Sequence, residues 1–110
     1  TVSHPILTRV PVQDAKWEIT RSKLDIEEVT GRQVTSFAFP SGGHRDFNKQ
    51  LVDIVRNSGY SCAVSTIPRW VNYGSGLYTL GRVRVNNNKK ELGVLLSGIY
   101  ADLKIYRLLQ

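Results

Sequence analysis

Beside nine Asp and Glu carboxylates, few side chains in this 110-residue sequence are suited to hold a metal or attack a carbonyl: His4, His44 and the single Cys62. One cysteine excludes an internal disulfide and a cysteine-rich zinc site, and two histidines beside it make a self-contained metal centre hard to build. The other residues of chemical interest gather in two loop-like stretches. One is Pro40-Ser41-Gly42-Gly43-His44-Arg45-Asp46, and the other runs over 66–79 with Pro68, Trp70, Tyr73, Gly74 and Gly76. Arg82 follows in a β-branched run. Each has an ordinary structural reading. His4 is then a loop histidine, Pro40-Ser41-Gly42 a strand-to-loop turn and His44 a solvated imidazole. Arg82 is a surface ion-pair partner, Trp70 a half-buried packing residue and Cys62 a small buried hydrophobe.

The elements that must position them follow from periodicity. Residues 1–10 read as the end of a loop, because Pro5 disfavours a helix through His4. Residues 11–30 read as a helix, with Pro11 in its first turn, Asp14 and Glu18 early and Gly31 as the stop. Ala15, Ile19, Ile26 and Val29 form its expected buried stripe, with Trp17 and Leu24 on a neighbouring face. VTSFAF at 34–39 and SCAVST at 61–66 read as strands. Between them lies a helix over about 47–58, capped by Asp46, with Phe47, Leu51, Ile54 and Val55 on one face. LGRVRV at 80–85 reads as a third strand, 86–88 as a turn and 89–108 as a last helix that Gly93 and Gly98 weaken. The order helix, strand, helix, strand, strand, helix implies α/β architecture with parallel strands. Functional groups then belong on the loops at the strands' C-terminal ends, 40–46 and 66–79.

Composition narrows the function. Lys and Arg outnumber Asp and Glu by 15 to 9, for a net charge of +6. The basic residues are scattered from Arg9 to Arg107, only Lys89-Lys90 are adjacent, and Trp70, Tyr73 and Tyr78 do not interleave with a dense basic stripe, so no nucleic-acid partner is expected. The longest apolar runs, such as VLL at 94–96, are far short of the roughly 20 residues of a membrane span. Hydrophobic residues at 41% and charged residues at 22% fit a globular chain.

Three segments together resemble the polysaccharide deacetylase family (carbohydrate esterase family 4, the NodB-homology domain). Thr1-Val2-Ser3-His4-Pro5 is similar to the tail of its H-[ST]-x-x-H metal motif. Ser22-Lys23, Ile26-Glu27, Thr30-Gly31 and then Phe37-Ala38-Phe39-Pro40-Ser41-Gly42-Gly43 resemble the stretch ending in F-A-Y-P-Y-G. Ser58-Gly59-Tyr60, Ala63-Val64-Ser65-Thr66 and Leu80-Gly81-Arg82-Val83-Arg84-Val85 resemble the later G-[FY]-x-x-A-V-[ST]-T and L-P-R-I strands. The resemblance covers about residues 1–85.

It implies the C-terminal portion of a distorted (β/α) barrel, spanning 1–110, and metal-dependent hydrolysis of N-acetyl groups on an amino-sugar glycan. The implied cofactor is a divalent metal, Zn2+ above others, held by one Asp and two His. On this reading His4 is the second metal histidine and the Thr1 hydroxyl steadies the loop. The Ser41 backbone N–H is the oxyanion donor, and Pro40, Gly42, His44 and Trp70 lie against substrate. The family's arginine falls on Ala38, and Arg82 would supply the cation that orients the catalytic carboxylate. The Asp-Asp motif and the first metal histidine would lie upstream of Thr1. The chain is therefore expected to be part of a larger polypeptide, to associate with the missing half or to pair with a second copy, and to be inactive alone. A non-catalytic glycan-binding or scaffold module on the same fold, with Trp70 or Tyr73 touching sugar, is the alternative.

Overall fold

The computed structural model describes residues 1–85 and 87–97. A 3-10 turn at Leu7–Arg9 precedes α1 (Val12–Thr30), β1 (Ser36–Ala38), α2 (Lys49–Asn57), β2 (Cys62–Val64) and α3 (Lys89–Leu96). Helix α1 starts one residue later than its sequence suggests. Pro11 is its N-cap, with Asp14 in the first turn to complement the helix dipole. Gly31 ends it at a left-handed φ of 63°, donating its N–H to the Glu27 carbonyl, the conformation that favours glycine there.

The buried face of α1 is Ala15, Glu18, Ile19 and Ser22, spaced i, i+3, i+4 and i+7. The expected stripe stops halfway: Ile26 is 49% and Val29 87% exposed. The period is right, but α2 and the 3-10 turn pack against α1 without covering its last two turns. Trp17 and Leu24 are more than half exposed and, at 100° per residue, lie nearly opposite the core rather than beside it.

β1 and β2 pair in parallel, with Ser36 opposite Cys62, Phe37 opposite Ala63 and Ala38 opposite Val64. Both are shorter than the runs 34–39 and 61–66. The expected strand over 80–85 reduces to a single parallel bridge from Leu80 to Val64. The chain cannot continue along β2, because Arg82 N–H bonds the Ile67 carbonyl at 3.2 Å and Gly81 is pressed against the backbone of Arg69. Parallel strands with intervening helices make this α/β, and the described residues form an open sheet rather than a barrel.

Asn48, not Asp46, caps α2, its side chain accepting from Leu51 N–H at 3.0 Å. The Asp46 carboxylate is used locally, accepting from Gly43 N–H at 2.8 Å. The α2 face reads as expected: Leu51 and Val55 are buried, and Phe47 and Ile54 pack against the same cluster. Asn88 caps α3 by accepting from Lys90 and Glu91 N–H. Of the expected helix over 89–108, residues 98–108 lie outside the described residues, as does Asn86 of the turn before it.

The core joins Leu7, Ala15 and Ile19 to Phe37, Phe39, Leu51, Val55, Tyr60 and Ala63. Phe37 meets Phe39 and Tyr60 edge-on at 5.2 Å, and Phe39 stacks on Phe47 at 4.6 Å, favoured aromatic arrangements. Phe37 and Phe39 point inward with Ala38 exposed between them, the alternation of a strand covered on one face. Cys62 is half-buried rather than buried, since the strand's inward position is Ala63.

Candidate functional site at the strand ends

Beyond β1 the chain reaches Pro40, which is fully buried, and then reverses at the exposed Ser41. Ser41 has φ 58° and Gly42 φ 68°, two consecutive left-handed residues. For serine this conformation costs about 1–2 kcal/mol. The turn is closed by Gly42 N–H donating to the Pro40 carbonyl at 2.7 Å, the strained form of a three-residue turn. Gly42 is required on two counts: its φ, and the space, since a Cβ would lie 3.0 Å from Phe39 O and Thr66 N.

The loop after β2 grips this turn. Thr66 N–H donates to the Gly42 carbonyl at 2.9 Å, and Thr66 Oγ1 donates to the Ser41 carbonyl at 2.7 Å. Ser65, fully buried, donates its N–H to Leu80 O at 2.8 Å. Arg82 Nε donates to the Ser65 carbonyl at 2.8 Å. The structure therefore brings Pro40, Ser41, Gly42 and Arg82 to one place, the C-terminal ends of the parallel strands, with Ser65 and Thr66 as the connection. Gly42 N–H is used and Pro40 has none; among the described residues nothing accepts from the N–H of the exposed Ser41.

His44 is exposed two residues past Gly42. Its loop is fixed by Asp46 N–H on Gly43 O at 3.1 Å and by Thr8 Oγ1 donating to Arg45 O at 2.8 Å. Trp70 is 39% and Tyr73 fully exposed, on the loop whose start is held by the approach of Gly81 to Arg69. Neither ring packs on another among the described residues.

His4 is exposed at φ 61°, a conformation histidine adopts more readily than most residues. Its segment is docked on α1 by Glu18, which is 6% exposed. Glu18 Oε2 accepts from Val2 N–H at 2.6 Å and Ser3 N–H at 2.9 Å, and Oε1 accepts from Ser3 Oγ. Burial works against the charge, but these hydrogen bonds outweigh it and hold the carboxyl below the ordinary glutamate range. Among the described residues the hydroxyl that ties the segment down is that of Ser3, and the Thr1 hydroxyl makes no such bond. No hydrogen bond, ion pair or ring contact among the described residues joins His4 to the Ser41 turn.

Two contributors escaped the sequence reading. Glu18 was assigned to the helix dipole, yet a carboxylate at the i+3 place of a buried stripe signals a polar partner inside. The sequence shows Thr66 as the end of a strand, the start of the loop 66–79 and the last residue of a family-like motif, and nothing in that spacing tells of the Ser41 carbonyl. Among the described residues no group of three or more His, Cys, Asp or Glu side chains gathers to hold a metal ion, and no helix is long and apolar enough to cross a membrane.

Comparison with known proteins places these features. The profile of the family described as polysaccharide deacetylase matches residues 1–63, which contain His4, Glu18 and the Ser41 turn. Among solved structures the chain resembles the Streptococcus pyogenes deacetylase PplD in complex with acetate, with a TM-score of 0.77 at 25% sequence identity. That match covers 87% of this chain and 41% of the streptococcal one, so the chain spans less than half its length. No curated protein sequence matches.

Proposed function

The chain belongs to the polysaccharide deacetylase family, and from that premise we propose that it supplies part of a centre that hydrolyses N-acetyl groups on an amino-sugar glycan. The observation that carries this reading is the Ser41 turn: an exposed serine whose backbone N–H meets no acceptor among the described residues, held at the C-terminal edge of a parallel sheet. A donor fixed there in advance suits the oxyanion that develops as water adds to an amide carbonyl. Arg82, held by the Ser65 carbonyl at 2.8 Å, brings a permanent cation to the same edge, where it would orient the carboxylate acting as base. Pro40 and Gly42 shape the turn against the acetyl group, and His44 and Trp70 flank it on the two loops that follow the strands.

The described residues do not by themselves fit a metal. His4 is one imidazole, and a catalytic divalent site takes three protein ligands. We assign His4 as a single ligand, for zinc above other divalent ions, with a carboxylate and a second imidazole supplied by groups other than the described residues. When bound, such a metal would polarise the amide and acidify water.

A second reading, a glycan-binding module without catalysis, draws on Trp70 and Tyr73, two exposed aromatics on one loop. Acetate release from N-acetylglucosamine oligomers, by the chain joined to a segment that supplies the carboxylate and second imidazole, with and without added Zn2+, separates the two. Zinc-dependent release that His4→Ala and Arg82→Ala abolish supports the deacetylase. Oligomer binding that survives chelation and is lost in Trp70→Ala, with no acetate released under any condition, replaces it with the binding module.

A further inference from the structure

We propose that Thr66 is a positioning residue that fixes the orientation of the Ser41 backbone N–H, an inference that rests on the oxyanion reading above. Ser41 has a Cβ, so its φ of 58° persists only if the surroundings hold it. Thr66 grips both peptide units that follow: its Oγ1 donates to the Ser41 carbonyl at 2.7 Å and its N–H to the Gly42 carbonyl at 2.9 Å. Gly42 N–H is closed onto Pro40 O at 2.7 Å. With the carbonyl of Ser41 anchored, its φ and ψ fix where its N–H points. Thr66 is itself set by the residue before it, since Ser65 N–H bonds Leu80 O at 2.8 Å and Arg82 Nε bonds Ser65 O at 2.8 Å. The hydroxyl is therefore the adjustable part of the grip, while the backbone bond would survive a side-chain change. Its isostere valine lacks only that hydrogen bond, and serine retains it.

The test uses the full chain, 15N-labelled, as wild type, Thr66→Val and Thr66→Ser. Two quantities are read at Ser41: the three-bond HN–Hα coupling, which reports φ, and the amide shift during titration with sodium acetate, the product of the proposed reaction. In the wild type the Ser41 amide is expected to move and saturate. In Thr66→Val the coupling should change and the apparent acetate affinity fall about fivefold, the effect of one lost hydrogen bond. Thr66→Ser should restore both, and the Ser3 amide, docked on Glu18, should stay in place in all three. An unchanged coupling and affinity in Thr66→Val overturns the role of Thr66 alone. A Ser41 amide that ignores acetate in the wild type overturns the oxyanion reading, and with it the role.

Discussion

The Ser41 turn and the His4 segment lie in the same chain but are held in opposite ways. The turn is fixed without charge: two left-handed residues, a glycine with no room for a Cβ, and carbonyls gripped by the Thr66 N–H and hydroxyl. The His4 segment is fixed by one side chain, the carboxylate of Glu18, which accepts from Val2 and Ser3. A lock made of sterics and neutral hydrogen bonds is insensitive to pH. An anionic lock is strong only while the anion persists, so the two regions should fail under different insults.

Between the two locks, the largest effect is expected at Gly42. Gly42→Ala must place a Cβ 3.0 Å from Phe39 O and Thr66 N at a φ of 68°, and should lower unfolding stability by about 3 kcal/mol in urea denaturation. Gly59→Ala serves as control: its φ is 85°, but its nearest neighbour is the end of the Lys23 side chain at 3.6 Å. It should lose about 1 kcal/mol, the left-handed penalty alone. Equal losses would mean that crowding at Gly42 contributes nothing.

Glu18→Ala comes next, at about 2 kcal/mol, because it strands two backbone donors and a hydroxyl that met a charged acceptor. Hydrogen exchange should rise at Val2 and Ser3 while the Gly42 and Thr66 amides stay protected. Faster exchange at both places would erase the distinction between the two locks.

The same carboxylate predicts a pH response. A carboxyl held below its ordinary range in the folded state contributes stability that is fully present above the unfolded glutamate pKa of about 4.3. That stability is lost as pH falls through the lowered folded value. The Ser3 amide should thus lose protection on acidification while Thr66 N–H does not, as read by exchange at pH 6, 4 and 3. Glu18→Gln should flatten the profile. A Ser3 profile in the wild type that is already flat would show that the charge does not hold the segment.

The smallest effect concerns α1. Val29 continues the apolar period of the buried stripe but is 87% exposed, so Val29→Lys should change stability by no more than about 0.5 kcal/mol. Ile19→Ala, on the same period but fully buried, should lose about 2–4 kcal/mol.

That contrast shows how far residue order reaches. The period of α1 and its Gly31 stop were legible because 3.6-residue spacing and a glycine's left-handed freedom are local properties. Where the stripe ends was not, because burial depends on what packs above it. Two of the three expected strands are present but end early, and the third reduces to a bridge at Leu80. Pairing stops where Arg82 N–H turns to Ile67 and Thr66 N–H to Gly42, choices made by distant carbonyls. The cap of α2 passed from Asp46 to Asn48 for a similar reason, two nearby polar side chains competing for different amides.

By itself the sequence determined the α/β order, the helix that carries Glu18, and the Phe-Ala-Phe-Pro-Ser-Gly-Gly stretch whose motif placed Ser41 at a strand end. Those rest on dihedral preference and alternation, which act within a few residues. Tertiary structure alone decided that Thr66 would meet Ser41 across 25 positions, that Arg82 would reach the Ser65 carbonyl, and that Glu18 would serve the His4 segment. Hydrogen bonds of that range depend on which loops the folded sheet sets side by side, and no local spacing encodes them.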